Sequence, residues 1–457
     1  MLSIATGVNY KGSLLVYATF TLLTNVLLFN GWKSKAIYFD TFVGVFLWLG
    51  FWLKFSLRVV FSEGVFREPV GAFDGSAAAF DHALLVASCG IAGLVVASFV
   101  RERFFVYPNE PHSCAHSGLF LFYRIFRKYF VAVFLVVVFL VATSNAWLAI
   151  YQRGMVAQTV LPFGLNGVFK WLLQFGLASV AALIVRFEIE INRNLSLMAV
   201  FPAILEGLFS NVSLLSRGMI LNLSALAIGS LRMIRAMKLS PNRLSMFVAA
   251  TVFVGLFSVS VASVNILRAQ MFDKSEPATV ASAVASVSHI SQPLFVDRWV
   301  GIEGAMAVSA SDKLGWELWQ RAWRERYDES EFSLYDRSFV SAHYASSDIN
   351  QSRNHFVNLP GLIAFLYYPG SFAFLFLAMV FAGLVGAVLE IATFRFCGRN
   401  WILCSLFAQV IAFRYASFGY VPGQSYLLFG TLVLNGFLIF AVDFLLRKWV
   451  FGRPEVT

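Results

Sequence analysis

Apolar runs of roughly 20 residues, repeated along the whole chain and parted by short polar links, leave few folds open. A run of that length with few charges spans the ~30 Å hydrocarbon core of a bilayer as a helix, whereas a barrel would show short alternating strands. The runs lie at roughly 12–30, 39–60, 80–99, 129–150, 165–186, 195–211, 213–231, 244–266, 361–393, 400–416 and 425–446. The expected fold is therefore an all-α polytopic membrane protein with about 11 transmembrane helices. A composition of 59% hydrophobic and only 13% charged residues excludes a soluble domain.

One long polar excursion, 267–360, separates N-terminal transmembrane helices at 1–266 from C-terminal ones at 361–457. It holds nine Lys/Arg against twelve Asp/Glu, a net −3, so the global +10 resides in the rest of the chain. That basic excess is a topology signal rather than a sign of nucleic acid. Loop 100–128 carries Arg101, Arg103, Arg124, Arg127 and Lys128, loop 232–243 carries Arg232, Arg235, Lys238 and Arg243, and the tail carries Arg447, Lys448 and Arg453. These are expected on the cytoplasmic side, which puts loops 61–79, 151–164 and 267–360 outside. The N-terminus then also lies outside, provided residues 31–38 form a cytoplasmic turn. The first run, Gly12 to Asn30, lacks a basic leader and a small-residue cleavage site and is expected to be retained as a span. None of the four cysteines lies in the excursion, so no disulfide scaffold is expected there.

Within the excursion, Asp312 reads as the cap of a helix running to about Tyr327, with Trp316, Trp319, Trp323 and Tyr327 on one stripe. Such a helix either lies at headgroup depth or packs its rings onto neighbouring spans. Tyr367-Tyr368-Pro369-Gly370 is expected to break 361–393 into a short outer piece and a full span. Several cations fall at outer span ends: Lys54, Arg58, Arg153, Lys170, Arg217, Arg268 and Arg414. A cation within a span costs on the order of 2.5–3.5 kcal/mol on insertion scales, so the set asks for anionic partners at that depth. A lipid diphosphate is one such partner, gripped by bidentate arginine. Ordinary headgroups, or an acid such as Glu206, are the others.

Outer loop 151–164 holds Arg153 and Gly164 in an Arg-x10-Gly spacing. This resembles a pattern in the outer loops of bacterial O-antigen, or Wzy-type, repeat-unit polymerases of lipopolysaccharide synthesis. The many spans, the single large outer loop in the second half and the re-entry segment Leu359-Pro360-Gly361-Leu362-Ile363-Ala364-Phe365-Leu366-Tyr367-Tyr368 add to the resemblance. The large loop departs from it, since the residue at that spacing after Arg298 is Ser309 rather than Gly.

The resemblance implies GT-C-like, metal-independent glycosyl transfer in the bacterial inner membrane, with no cofactor. The substrate would be an undecaprenyl-diphosphate-linked oligosaccharide, set among membrane lipid, with a chain-length regulator protein as an expected partner. Such a reaction needs cations for the leaving diphosphate, placement of the acceptor hydroxyl and a base. Arg153, Arg217, Arg298, Arg353 and Arg414 are the candidate diphosphate ligands. Arg298, Glu303 and His355 are the candidate catalytic residues. Glu303 sits in the glycine-flanked Gly301-Ile302-Glu303-Gly304, whose backbone is expected to pass close to a substrate. Asp297, Arg298 and Glu303 alternatively form a local ion cluster that fixes the loop. His289 and His343 are further titratable groups, and Arg353 with His355 is a fallback catalytic pair. His112-Ser113-Cys114-Ala115-His116 supplies only three nearby donors and is read as an incidental cytoplasmic loop, with no metal expected. A flippase for a lipid-linked glycan is the second reading, and an acyl- or phospho-group transferase the third.

Overall fold

A computed structural model describes residues 1–108, 110–216, 220–239, most of 247–264, 296, 299–326, 332–340 and 357–451. Among these residues the chain is all-helical, without a strand. Among the described residues six helices are long and apolar enough to cross a membrane: Tyr38–Phe61, Ala77–Phe104, Gly118–Leu148, Pro162–Asn192, Phe372–Phe396 and Pro422–Trp449. Leu14–Asn30, Leu197–Ser213 and Trp401–Ala416 are shorter apolar helices. Val133, Val136, Leu140 and Trp147 stand exposed along Gly118–Leu148, as do Val433, Leu434 and Phe437 along the last long helix. Apolar faces of that length, turned away from the protein, suit lipid and not water. This is the architecture of a polytopic membrane protein.

The helices form two compact units. The first comprises Met1–Tyr107, Ser288–Glu390 and Ile411–Tyr426, and the second Pro108–Val287, Ile391–Val410 and Leu427–Thr457. One end of the first unit is built from buried ion pairs and caps. Arg101 pairs with Asp40 and donates to the Lys35 carbonyl at 2.8 Å. Glu390, fully buried, accepts from the backbone N–H groups of Tyr38 at 2.9 Å and Phe39 at 2.6 Å, and from the Tyr107 hydroxyl at 2.6 Å. The Glu390 carboxyl oxygens thus satisfy N–H donors left without an intrahelical partner at the start of Tyr38–Phe61.

In the second unit, residues from several loops expected on the cytoplasmic side touch one another. Ser117 caps Gly118–Leu148 and donates to Asp443 at 2.6 Å, Arg186 donates to the His112 carbonyl, and the Arg399 guanidinium meets the His112 ring. The Arg232 guanidinium lies over the Trp401 ring. At the opposite helix ends the Arg153 N–H donates to the Leu214 carbonyl at 3.0 Å.

Several expected boundaries move. Gly118–Leu148 starts eleven residues earlier than the apolar run at 129–150, so Arg124, Arg127 and Lys128 are helical instead of looped. Arg127 is held by the buried Glu188 through two short hydrogen bonds, which repays the added turns. The run at 213–231 becomes a helix at Ile220–Ala236. The break within 361–393 is present as Leu362–Leu366, a turn at 367–369, and Phe372–Phe396.

Candidate functional site

The first unit gathers its polar chemistry where Tyr38–Phe61 is interrupted. Trp48–Leu53 is a stretch of π-helix immediately before Lys54, and such wide turns re-aim the residues that follow. Gly50 lies in it, and a Cβ there would fall 2.4 Å from the Val300 carbonyl oxygen. A Cβ on Gly301 would in turn fall 2.2 Å from the Gly50 oxygen. The two backbones meet directly because neither residue has a side chain. Trp299 stacks on Phe46 with ring centroids 5.9 Å apart, and the Phe413 ring meets Phe46 on another side at 5.8 Å.

Glu303 follows on the first turn of the short helix Ile302–Ser309, every residue of which is buried. The Lys54 ammonium lies 2.5 Å from the Glu303 Oε1 and donates to the Trp299 carbonyl at 2.9 Å. The two side chains are 1% and 6% exposed, so this is a fully desolvated ion pair. Burial raises the Glu303 carboxyl above its ordinary range, and Lys54 opposes that rise. The expectation that the glycines let a substrate approach is corrected here: Gly301 admits Gly50, and a Cβ on Gly304 would lie 2.0 Å from the Pro360 oxygen. Glu303 pairs with a lysine far away in sequence, so this cation's partner lies within the protein.

Arg414 lies in the same unit, its guanidinium carbon 5.5 Å from the centre of the Phe418 ring. Gly361 ties this helix end to the 299–304 segment. Its N–H donates to the Phe418 carbonyl at 3.0 Å, and a Cβ on it would lie 3.0 Å from the Ala416 oxygen and 3.7 Å from a Val300 methyl. Arg58, buried one turn beyond Lys54, donates to the Ser62 hydroxyl at 3.2 Å.

The aromatic helix runs from Trp316 to Trp323, not from Asp312. The N–H of Gly315 is drawn to the Tyr368 carbonyl at 2.8 Å, so the chain turns before the helix begins. Tyr327 lies outside the described residues. Trp319 and Trp323 sit 4.8 and 5.4 Å from Phe365, and Trp316 sits 5.0 Å from Phe374. The stripe thus packs onto neighbouring helices, while Trp316 and Trp323 also keep exposed ring surface. Asp336 stitches the adjacent turn, accepting from Ser333 at 2.6 Å and Asn358 at 2.8 Å. Burial raises the carboxyls of Asp336 and Glu325.

Arg153 belongs to the second unit. Its loop hangs on two asparagines that the sequence reading passed over. Asn145, fully buried, joins the Tyr151 backbone to Ser213. Asn166 accepts from the Leu161 N–H at 2.7 Å and donates to the carbonyls of Thr159 and Ile150. Lys170 stands over the Tyr151 ring at 5.0 Å. Gly164 takes a left-handed conformation at φ 74° and opens Leu165–Trp171, the helix that carries Asn166. Glu206 accepts from Ser210 at 2.8 Å. Arg217, Arg268, Asp297, Arg298, Arg353, His289, His343 and His355 lie outside the described residues.

Comparison with protein-family models, characterised proteins and solved structures finds no match. The site is therefore read from its own chemistry. Among the described residues no group of His, Cys, Asp and Glu has the makings of a metal site. What remains is a cationic helix end with two short buried helices beside it.

Proposed function

We propose that this chain is a glycosyltransferase of the bacterial inner membrane, GT-C-like and with about 11 transmembrane helices. Its reaction is polymerisation of undecaprenyl-diphosphate-linked oligosaccharide repeat units at the periplasmic face. The observation that carries the reading is the helix-broken, cationic end of the first unit. There Ile302–Ser309 and Leu362–Leu366, too short to cross, lie buried in the same unit as Lys54, Arg58 and Arg414. Short helices and loops survive at membrane depth only where protein or a polar cavity shelters them, and in transporters and enzymes alike they mark the working end. The Arg153 and Gly164 spacing and the 359–368 re-entry segment support the same assignment.

In the reaction, the terminal hydroxyl oxygen of one lipid-linked unit bonds to the anomeric carbon of the other chain. The bond from that carbon to the diphosphate oxygen breaks, the diphosphate leaves with the negative charge, and a base takes the hydroxyl proton. Arg153, Arg217, Arg298, Arg353 and Arg414 are proposed as the cations that hold the diphosphates. His355, or Glu303 if it exchanges Lys54 for the acceptor, is proposed as the base. Arg298 is followed directly by Trp299, whose carbonyl Lys54 holds, so the ion pair with Glu303 fixes the backbone next to the leading arginine.

The test is chain growth by the purified full chain in nanodiscs with a lipid-linked repeat unit. Arg298→Ala and Arg153→Ala are each expected to slow growth by about 100-fold or more, as loss of a charge-stabilising donor does. Growth unaffected by Arg298→Ala, or dependent on added metal, removes this mechanism. In cells, deletion of the gene is expected to abolish long polysaccharide and leave single units on the lipid core. The π-helical turns at Trp48–Leu53 and Leu172–Gly176, each within a long span, favour a second reading as a lipid-glycan flippase. Loss of single units from the periplasmic side on deletion decides for that reading.

A further inference from the structure

A second polar site lies wholly within the second unit, at the end where its basic helix termini gather. Here Ser117 precedes Gly118–Leu148, Arg186 nears the end of Pro162–Asn192, Asn400 precedes Trp401–Ala416 and Asp443 nears the end of the last helix. These four residues, with Cys114 and Cys397, line a cavity of about 40 Å³. At roughly 10–15 Å³ per water that is room for about three waters, or for one phosphate-sized group.

The accounting of its donors and acceptors is uneven. Arg186 is 1% exposed; one terminal nitrogen pairs with Glu190 at 3.2 Å and faces the Met233 sulfur at 3.0 Å, and the other donates to the His112 carbonyl. Its Nε–H, buried, meets no oxygen or nitrogen acceptor among the described residues, with the neutral Cys114 thiol beside the guanidinium. Asn400 is 3% exposed; its Oδ1 caps the next helix, accepting from Ile402 at 3.0 Å and Leu403 at 3.2 Å, while its Nδ2 meets no acceptor among the described residues. The acceptors on the wall are already engaged. Asp443 takes the Ser117 hydroxyl at 2.6 Å, the Leu119 N–H at 3.0 Å and the Arg447 guanidinium at 3.0 Å. A buried donor without a partner costs about 1–3 kcal/mol, and two in one cavity call for a shared acceptor.

The charge balance sets the acceptor's sign. Arg186, Arg399 and Arg447 face only Glu190 and Asp443 among the groups these contacts join. The N-terminus of the 16-residue helix Trp401–Ala416, directly after Asn400, adds a partial positive charge. The thiols add none of the opposite sign, since burial pushes Cys114 up to about 11 and Cys397 up to about 12. Basic pockets between helix ends on the cytoplasmic side are suited to anionic headgroups.

We propose that this cavity binds a phosphate oxyanion, held by Arg186 and Asn400 between the basic helix ends of the second unit. Its sources are an anionic lipid headgroup or free phosphate. The site makes no use of the residues proposed for glycosyl transfer and stands without that reading.

Calorimetric titration of the full chain in phosphatidylcholine nanodiscs tests it, with short-chain phosphatidylglycerol in one arm and inorganic phosphate in the other. Saturable binding in the lipid arm alone identifies a headgroup site, and binding in the phosphate arm identifies a free-anion site. Asn400→Asp keeps the capping oxygen but replaces the orphan donor with a negative charge, and is expected to weaken binding at least about tenfold. Arg186→Lys, which retains charge but not the Nε–H, is expected to weaken it in the same direction. Unfolding of Asn400→Asp in plain phosphatidylcholine should match the wild type, which separates lost binding from lost fold. No saturable binding in either arm, or equal binding by wild type and Asn400→Asp, overturns the proposal and leaves the cavity to water.

Discussion

Replacing Lys54 by Met is expected to destabilise the first unit by about 3 kcal/mol at pH 7, and the figure follows from the fate of Glu303. Removing one partner of a buried pair typically costs about 3–5 kcal/mol, because the other charge stays desolvated. Glu303 has an escape, which is to take up a proton. From its ordinary value of 4.5, protonation at pH 7 costs about 1.36 kcal/mol for each of 2.5 pH units, or about 3.4 kcal/mol. That bounds the penalty the stranded carboxylate can impose and sets it at the low end of that range. The sign with pH is fixed. With its folded pKa raised, Glu303 contributes stability that is complete below about 4.5 and is lost as pH rises through the folded value. The penalty of Lys54→Met should therefore grow between pH 5.5 and pH 8. Adding Glu303→Met should return most of it, since apolar replacement of a buried pair is near neutral. Unfolding by denaturing detergent in mixed micelles, followed by tryptophan fluorescence, measures all three chains. A single-mutant penalty below about 0.5 kcal/mol, or a double mutant worse than the single, refutes the ion-pair account.

Three further outcomes are expected. Gly301→Ala should disrupt the contact with Gly50, whose carbonyl oxygen would lie 2.2 Å from the new Cβ, and cost at least about 1–3 kcal/mol by the same assay. Asn145→Ala should cost about 1–3 kcal/mol and open the Arg153 loop to protease, because the Tyr151 backbone N–H and carbonyl and the Ser213 hydroxyl all lose partners. Asp336→Asn should flatten the pH dependence of the 332–340 turn, at the cost of one of the two hydrogen bonds its carboxyl oxygens accept from Ser333 and Asn358. The raised carboxyl of Asp336 contributes stability below its ordinary 3.8 that is lost as pH rises through its folded value, and the amide removes that dependence; the pH profile of Trp319 and Trp323 fluorescence reads it.

The all-helical, polytopic character was legible because hydropathy is a local property that any 20-residue window reveals; of the eleven apolar runs, six coincide with helices long and apolar enough to cross a membrane among the described residues. The Tyr367 to Gly370 break was legible for the same reason, since Pro369 and Gly370 act within their own turn. What failed was whatever depended on residues distant in sequence. Asp312 is a good cap by type, yet the helix starts at Trp316 because Tyr368 claims the Gly315 N–H. Lys54 was visible as a cation inside an apolar run, but nothing local names Glu303 as its partner. A signal was present in the excursion all the same. Ile302, Ala305, Met306, Ala307 and Val308 form an apolar cluster within eight residues of an otherwise polar loop, and this helix is buried. The asparagines holding the Arg153 loop were missed because a single polar residue at a span end reads as ordinary boundary chemistry. Only their three or more backbone and hydroxyl partners reveal them.

The direction of the first apolar helix depends on residues 31–38, and here the first unit supplies an internal ruler. Leu14–Asn30 has 17 residues, which at 1.5 Å each gives about 26 Å, short of the ~30 Å hydrocarbon core. Yet its two ends are pinned to two points on Ala77–Phe104. The Ser13 N–H donates to Asp81 at 2.9 Å, and beyond the other end the Lys35 carbonyl accepts from Arg101 at 2.8 Å. Asp81 and Arg101 are 20 residues apart on one helix, about 30 Å. The short helix with its flanking turns therefore covers the same depth as a full span, and it runs in the same direction. Since Glu390 and Tyr107 also meet residues 38 and 39, the 31–38 turn lies at the end that carries Arg101. Lys11 and Lys35 are both exposed and flank this helix. Lys11→Cys should react with a membrane-impermeant maleimide from the face opposite to Lys35→Cys, in a background where the four native cysteines are replaced. Labelling of both from one face would mean that Leu14–Asn30 lies along the membrane and that the count of crossings before residue 38 is wrong.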